Sequence, residues 1–340
     1  MTVYFYIPNK AINEATIYYT KIVEQAFLEN NVSVIRKESL DFSLKKEDLI
    51  FTIRIIDFIK ARVKLRTKRI AIWFQGILGE EYLLLNNNSL KAKVVKKIVD
   101  ICEKYTLKNS FFSFFVSDAM RRYFEKKHNL LLDEDYALVP CYNKKLNKAY
   151  FDTGKENYTF VYAGTLFSWQ CFETTVKLFK EIEKLNEKAK FIVLTKEKNE
   201  AKDILNKYDV RNYEISFVSL DQLDLELSKY KYGFLLREDD VINNVATPTK
   251  MNSYLSVGLI PIYTNVVYDF EEKLDLGSYS IKIDINADLS LSAEQIFLKD
   301  QVTVDYSEYY GICEKNFTHY YDDSYNVDLI KNTLVRKALV

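Results

Sequence analysis

Short apolar runs alternate with amphipathic helical stretches along nearly the whole chain, and this alternation constrains the fold more than any other feature. Strands are expected at 3–7, 32–36, 48–53, 69–74 and 111–116, with 137–140 extended. Helices are expected at about 14–30, 55–68, 90–105 and 119–127; in the first of these Ile17, Tyr18, Ile22, Ala26 and Phe27 recur at helical spacing. Ser117 and Asp118 are placed to cap the last one. The polar stretch 142–157 reads as a linker, and beyond it the alternation restarts. Strands are expected there at 159–162, 191–194, 215–218, 232–236, 259–263 and 278–283, and helices at 170–186, 199–208, 220–230 and 249–257. From Tyr306 the tail reads as helical. Such alternation builds βαβ units and parallel sheets. The expected fold is therefore α/β, with two doubly wound Rossmann-like domains facing a cleft. Residues 1–150 form the first and 151–305 the second, and C-terminal helices at 306–340 return toward the first.

Length and composition agree with two cores. The chain has 340 residues, 48% of them hydrophobic and 15% aromatic, which excludes wholesale disorder. Its 48 Lys+Arg and 48 Asp+Glu cancel, but unevenly: residues 1–150 hold 26 basic against 17 acidic, and the remainder 22 against 31. A nucleic-acid reader is basic throughout its binding domain and carries a recognisable module, so no nucleic-acid partner is expected. Cys102, Cys141, Cys171 and Cys313 lie far apart without a C-x-x-C or a nearby His pair. Neither a disulfide framework nor a zinc site is expected, and a reducing cytoplasm fits. The opening MTVYFYIPNK lacks the pattern of a signal peptide, and no window approaches the ~18 apolar residues of a membrane span.

In open α/β sheets ligands bind beyond the carboxyl ends of strands, near helix N-termini, so chemistry is sought in the strand-to-helix turns. One is Tyr162-Ala163-Gly164-Thr165-Leu166-Phe167-Ser168-Trp169-Gln170. Gly164 would let a ligand approach the backbone, Thr165 and Ser168 offer hydroxyls, and Trp169 alternatively fills a hole. A second turn runs Leu236-Arg237-Glu238-Asp239-Asp240 to Asn244-Val245-Ala246-Thr247-Pro248-Thr249-Lys250. Arg237 and Lys250 beside a helix N-terminus make a diphosphate site, with two fixed cations and free N–H groups. The alternatives are an ion pair of Arg237 with Glu238 or Asp240, and a metal-binding acidic cluster. In the third, Trp73-Phe74-Gln75-Gly76-Ile77 leads to a loop with Glu80 and Glu81. Gln75 could hydrogen-bond a sugar hydroxyl and one of the acids accept a proton, or both acids are simply solvated at the start of a helix. His128 and His319 have no partner at catalytic or ligand spacing. The run Lys60, Arg62, Lys64, Arg66, Lys68, Arg69, with Lys91, Lys93, Lys96 and Lys97, is dense enough to touch anionic headgroups.

On these pieces, and on Tyr254-Leu255-x-x-Gly258-Leu259-Ile260-Pro261, the chain resembles bacterial GT-B glycosyltransferases of capsule, exopolysaccharide and O-antigen assembly. The resemblance implies a hexosyltransferase-type enzyme moving a sugar from a nucleotide-sugar donor to a glycan or lipid-linked acceptor. It implies a donor site in the second domain and an acceptor side in the first. Arg237 and Lys250 would hold the diphosphate as catalytic groups. Gly164, Thr165, Trp169, Asn244, Pro248 and Thr249 would surround the donor, and Thr195, Val218 and Ser219 would lie near base and ribose. Gln75, Gly76, Glu80 and Glu81 would line the acceptor side. Retention of configuration, no cofactor or metal, and a cytoplasmic position, peripheral on the inner face of the membrane, complete the expectation. Two departures stand out: Ser253 replaces the Glu usual before the helix Tyr, and the turn at 8–14 lacks the usual glycines. Ser253 motivates the alternative of a catalytically silent GT-B subunit that binds acceptor or stabilises a partner transferase. An epimerase on the same fold is a third reading. An inverting enzyme would need a base, for which Glu14, Glu80, Glu81 and Asp118 are available.

Overall fold

The computed structural model describes residues 1–9, 11–12, 14–132 and 136–336. Lys10, Asn13 and the side chain of Glu14, all in the 8–14 turn, lie outside them. The chain divides into two compact units. One comprises Met1–Asn143, Asn244–Thr247 and the tail from Tyr320, the other Lys144–Asn243 and Pro248–His319.

In the first unit β1 (Thr2–Tyr6), α1 (Glu14–Glu29), β2 (Ser33–Lys37), β3 (Leu49–Thr52) and α2 (Ile55–Leu65) lead to β4 (Ile70–Phe74). Then follow α3 (Leu78–Leu85), α4 (Leu90–Asn109), β5 (Phe112–Phe115), α5 (Asp118–His128) and β6 (Tyr136–Leu138). The six strands pair in parallel in the order β2-β1-β3-β4-β5-β6. Every residue of β3, β4 and β5 is buried, which is why these strands read as unbroken apolar runs; edge strand β2 is largely exposed. Phe5, Phe51, Trp73 and Phe114 pack as one aromatic core in tilted and edge-to-face contacts. Ser117 caps α5 by accepting the Met120 N–H at 3.0 Å. The segment containing Asn244 joins this unit: Ser117 donates to the Val245 carbonyl at 2.6 Å, and Cys141 N–H donates to Thr247 Oγ1 at 3.0 Å. The last helix, α14 by chain order (Asp323–Arg336), packs on α1 through Tyr18, whose hydroxyl donates to Asp323 at 3.1 Å.

The second unit begins with β7 (Glu156–Ala163), α6 (Phe172–Leu185), β8 (Lys190–Leu194), α7 (Lys198–Lys207) and β9 (Tyr213–Ser216). It continues with α8 (Leu223–Leu227), β10 (Tyr230–Leu235), α9 (Val241–Asn244, which ends in the first unit), α10 (Thr249–Ser256) and β11 (Ile260–Tyr263). The final elements are α11 (Tyr268–Lys273), β12 (Ile281–Lys282), α12 (Leu289–Asp300) and α13 (Tyr306–Asn316). The order β12-β11-β10-β7-β8-β9 is again wholly parallel. From β7 the chain winds outward through β8 and β9, then returns to β10 on the other side of β7. The winding reverses between β7 and β10, which is where an open α/β sheet opens a crevice for ligands.

Several elements depart from expectation. The region 78–85, expected either as a short loop with paired acids or as the start of a helix, is helix α3. Strand β7 starts at Glu156, inside the polar linker. The helix expected from 170 starts at Phe172, because Cys171 sits in a left-handed conformation (φ 52°) and separates it from a 3₁₀ turn at Ser168–Gln170. The strand expected at 278–283 shrinks to Ile281–Lys282, and α12 was not anticipated.

Candidate functional site

The carboxyl ends of β7 and β10, at the reversal of winding, carry Gly164 and Arg237. Gly164 has φ 142°, and a Cβ there would lie 2.6 Å from Lys250 Cε and 2.9 Å from its Nζ. The lysine thus occupies the space that a side chain at 164 would need. Its ammonium also lies 4.1 Å from the centroid of the Tyr162 ring.

Arg237 is 3% exposed. Its backbone is clamped by Thr264, whose Oγ1 accepts the Arg237 N–H at 3.0 Å and donates to the Arg237 carbonyl at 2.9 Å. The guanidinium Nη1 donates to the Trp169 carbonyl (3.0 Å) and to Gln170 Oε1 (2.7 Å), while Nε is buried with no partner. Lys250 Nζ donates to that same Gln170 Oε1 at 2.7 Å. Two cations therefore share one neutral oxygen. Among the described residues neither forms an ion pair with a carboxylate. The alternative pairing with Asp240 does not form: Asp240 accepts the Asn243 N–H (2.9 Å) and Nδ2 (3.2 Å), while Asn243 Nδ2 also donates to the Glu238 carbonyl (3.1 Å). Among the described residues no group of three His, Cys, Asp or Glu is arranged to hold a metal ion.

The electrostatics follow from this. Burial pushes the Arg237 pKa below its ordinary value, and burial, reinforced by the Arg237 charge, pushes Lys250 well below its own. An anion placed between them would reverse both shifts. Helix α10 begins here after Pro248 with no side-chain cap, so its N-terminal dipole adds to the positive potential.

The other expected donor residues are placed as follows. The Thr165 carbonyl accepts the Tyr162 hydroxyl at 2.5 Å. Trp169 is half-buried beside Phe167, ring centroids 4.9 Å apart, rather than plugging the core. Thr195 is buried beyond β8 and donates to Glu197 at 2.6 Å. Val218 and Ser219 follow β9, Ser219 exposed. Ser253 is buried and donates back to the Thr249 carbonyl at 3.1 Å, so its hydroxyl is spent on its own helix. Gln170, Tyr162 and Thr264 were not assigned roles from the sequence. The signal for Gln170 was its place in the quoted Trp-Gln pair.

In the first unit, Gln75 and Gly76 follow β4, and Gln75 Nε2 is buried without a partner. Glu80 and Glu81, expected as near-equivalent acids, lie on α3 and differ. Glu80 accepts from Tyr123 (2.6 Å), Lys96 (3.0 Å) and Lys127 (3.0 Å); burial opposes its charge, yet Tyr123 and Lys127 hold the carboxyl below the usual range. Glu81 accepts the Ile77 N–H at 3.0 Å, and burial, with the Glu80 charge behind it, raises its pKa. A Cβ on Gly76 would collide with Glu81 Oε1. Neither acid is simply solvated, and Glu81 is the one disposed to carry a proton.

No protein-family model matches the chain, and no curated protein matches it by sequence. Solved structures do match. A mutant of Staphylococcus aureus TarM, in complex with fondaparinux, alpha-GlcNAc-glycerol and UDP, aligns at 11% identity and a TM-score of 0.65, over 85% of this chain and 55% of that one. The pneumococcal O-GlcNAc transferase GtfA, in complex with UDP and GlcNAc, aligns at 13% identity and 0.59, over 93% and 59%. A glycosyltransferase from Rickettsia africae aligns at 13% identity and 0.61, over 99% and 98%. The chain thus spans little more than half the length of TarM and GtfA. At these identities the likeness establishes the fold, which is the α/β two-domain GT-B fold.

Proposed function

We propose that this chain is a glycosyltransferase, moving a sugar from a nucleotide-sugar donor to a glycan or lipid-linked acceptor in cell-surface polysaccharide assembly. The observation that carries the reading is the pair Arg237 and Lys250, sharing Gln170 Oε1 with no carboxylate between them at the reversal of winding. Leaving two cations drawn out of water without a counter-ion is costly, and a diphosphate supplies the missing charge. Cleavage of the anomeric C–O bond builds negative charge on the departing diphosphate and positive charge on the sugar. Arg237, Lys250 and the α10 N-terminus stand where they stabilise the leaving group in advance, with no further ion required. Retention of configuration is part of the proposal, as are the cytoplasmic setting and a donor of the UDP class, the nucleotide present in the TarM and GtfA structures.

The test is a thermal-shift series with UDP, GDP, dTDP, ADP and CMP. A nucleotide at ~100 times its Kd adds about 2.7 kcal/mol of stability, and a diphosphate should outperform CMP. No shift with any diphosphate overturns the reading. The Ser253 hydroxyl, turned back on its own helix, favours a second reading, a silent subunit. That protein would bind nucleotide yet release none from a nucleotide-sugar panel, with or without acceptor; interconversion of the sugar would mark an epimerase.

A further inference from the structure

Helix α4 is two-faced in a way the first sheet does not use. Its inner face buries Ala92, Glu103, Thr106 and Leu107. Both its carboxylates are engaged with cations inside the unit: Asp100 meets Lys96 and Lys127 (2.7 Å each), and Glu103 meets Lys127 (2.6 Å) and His128 (2.7 Å). On the outer face Leu90, Val94, Ile98, Ile101 and Tyr105 follow each other at steps of four and three, each 42–81% exposed. They form one straight stripe about 22 Å long at 1.5 Å per residue. Lys91, Lys93, Lys97, Lys104 and Lys108 are exposed along it. At 100° per residue, Lys91 falls on one side of the stripe and Lys93, Lys97 and Lys104 on the other. Among the described residues none of these five forms an ion pair. The exposed face therefore combines five large apolar side chains, five cations and no acid.

We propose that this face of α4 lies on an anionic lipid surface, the stripe sunk to the headgroup level and the lysines reaching up to phosphates. An amphipathic helix with an apolar stripe edged by lysines is built for that interface, where long side chains snorkel. Charge complementarity selects lipid over protein. Two copies pairing through the stripe would set lysines against lysines, and protein–protein interface cores are depleted in lysine. The basic run at 60–69, expected to make this contact, is half consumed within the unit. Arg62 donates to the Thr67 carbonyl (3.0 Å) and Asn109 (3.4 Å), Lys64 pairs with Asp41, and Arg69 stacks over Phe111 (4.2 Å). Among the described residues no helix is long and apolar enough to cross a membrane, so the contact is one of surface association. The inference stands independently of the donor site.

Flotation of the full chain with phosphatidylcholine vesicles, with and without phosphatidylglycerol, tests it. The protein should float with the anionic vesicles and be released by salt. At ~1 kcal/mol per lysine, Lys97→Ala with Lys104→Ala should lower the partition coefficient about 30-fold. Ile98→Glu with Ile101→Glu should abolish flotation; these side chains are exposed, and an unchanged thermal melt will show that the fold is intact. Four outcomes overturn the proposal: no flotation on anionic vesicles, equal flotation on neutral ones, flotation untouched by the Ile98→Glu, Ile101→Glu pair, or a lipid-free dimer that this pair dissolves. Nucleotide thermal shifts on the same samples report the donor site separately.

Discussion

Two pairs of cations are drawn into this chain under opposite conditions. In the first unit Lys96 and Lys127 sit among Glu80, Asp100 and Glu103, in ion pairs of 2.6–3.0 Å. In the second, Arg237 and Lys250 share one amide oxygen. Burial lowers the proton affinity of Lys127, yet the Glu103 and Glu80 charges and the Asp100 contact more than restore it, and its pKa lies above the ordinary value. For Arg237 and Lys250 the surrounding groups, Asp240 among them for the arginine, do not make up the loss, and both lie below their ordinary values. The first pair is a strut, because its charge is already balanced where it stands. On the proposed reading the second is a receptor, whose balance comes from a bound diphosphate. Charge balance, not the number of charges, separates the two.

Removing one cation from each pair should produce opposite defects. Arg237→Ala and Lys250→Ala should each lower turnover by ~10²–10³ and leave the melting temperature unchanged or higher, because an uncompensated cation is removed. Lys127→Ala should do the reverse: a loss of about 3–5 kcal/mol in denaturant unfolding, with nucleotide affinity intact, because it leaves buried Glu103 with His128 alone and takes a cation from Glu80 and Asp100. Full turnover in a folded Arg237→Ala, Lys250→Ala protein would end the receptor reading.

Gln170→Glu sharpens the contrast by turning the receptor into a strut. A carboxylate between the two cations should raise the melting temperature and weaken diphosphate binding about 10–100-fold, from the ~1.5–3 kcal/mol of a charged hydrogen bond. Calorimetric titration reads this directly, and an unchanged Kd would show that the diphosphate does not displace Gln170.

The last effect concerns Lys155, a half-buried lysine outside both pairs. Lys155 donates to the Ser228 (2.7 Å) and Val257 (2.6 Å) carbonyls, and burial lowers its pKa to about 7. Two carbonyls are all that a neutral amine needs. With the folded value below the unfolded lysine value of ~10.4, the unfolded chain binds more protons between them. Stability should therefore rise as pH goes from 7 toward 10, and Lys155→Met should flatten that slope in urea melts. A slope identical in both proteins would assign the titration elsewhere.

Much of the fold was legible because fully buried parallel strands leave apolar runs, as β4 and β10 do. Helix α3 was legible only as one of two alternatives, since Leu78-Gly79-Glu80-Glu81 carries no cap and its second acid folds back onto Ile77. Arg237 and Lys250 could be picked out because cations at strand ends and helix starts are costly without a partner. Gln170 could not: a neutral amide gains meaning only when two cations from distant turns converge on it. The difference between Glu80 and Glu81 was equally hidden, because it is made by Tyr123 and Lys127, more than forty positions further on. The basic run at 60–69 shows the converse, a conspicuous pattern half spent on contacts within its own unit.

Gly164 gives up one carbon, and Lys250 takes the space. The two positions, 86 residues apart, therefore hold a single volume between them, and only one can fill it. A methyl group at 164 adds no charge and removes none. By evicting the ammonium from beside Gln170, it would nevertheless act as the loss of a cation. Electrostatics at this corner of the sheet is thus written in excluded volume, and an alanine there and a missing lysine spell the same defect.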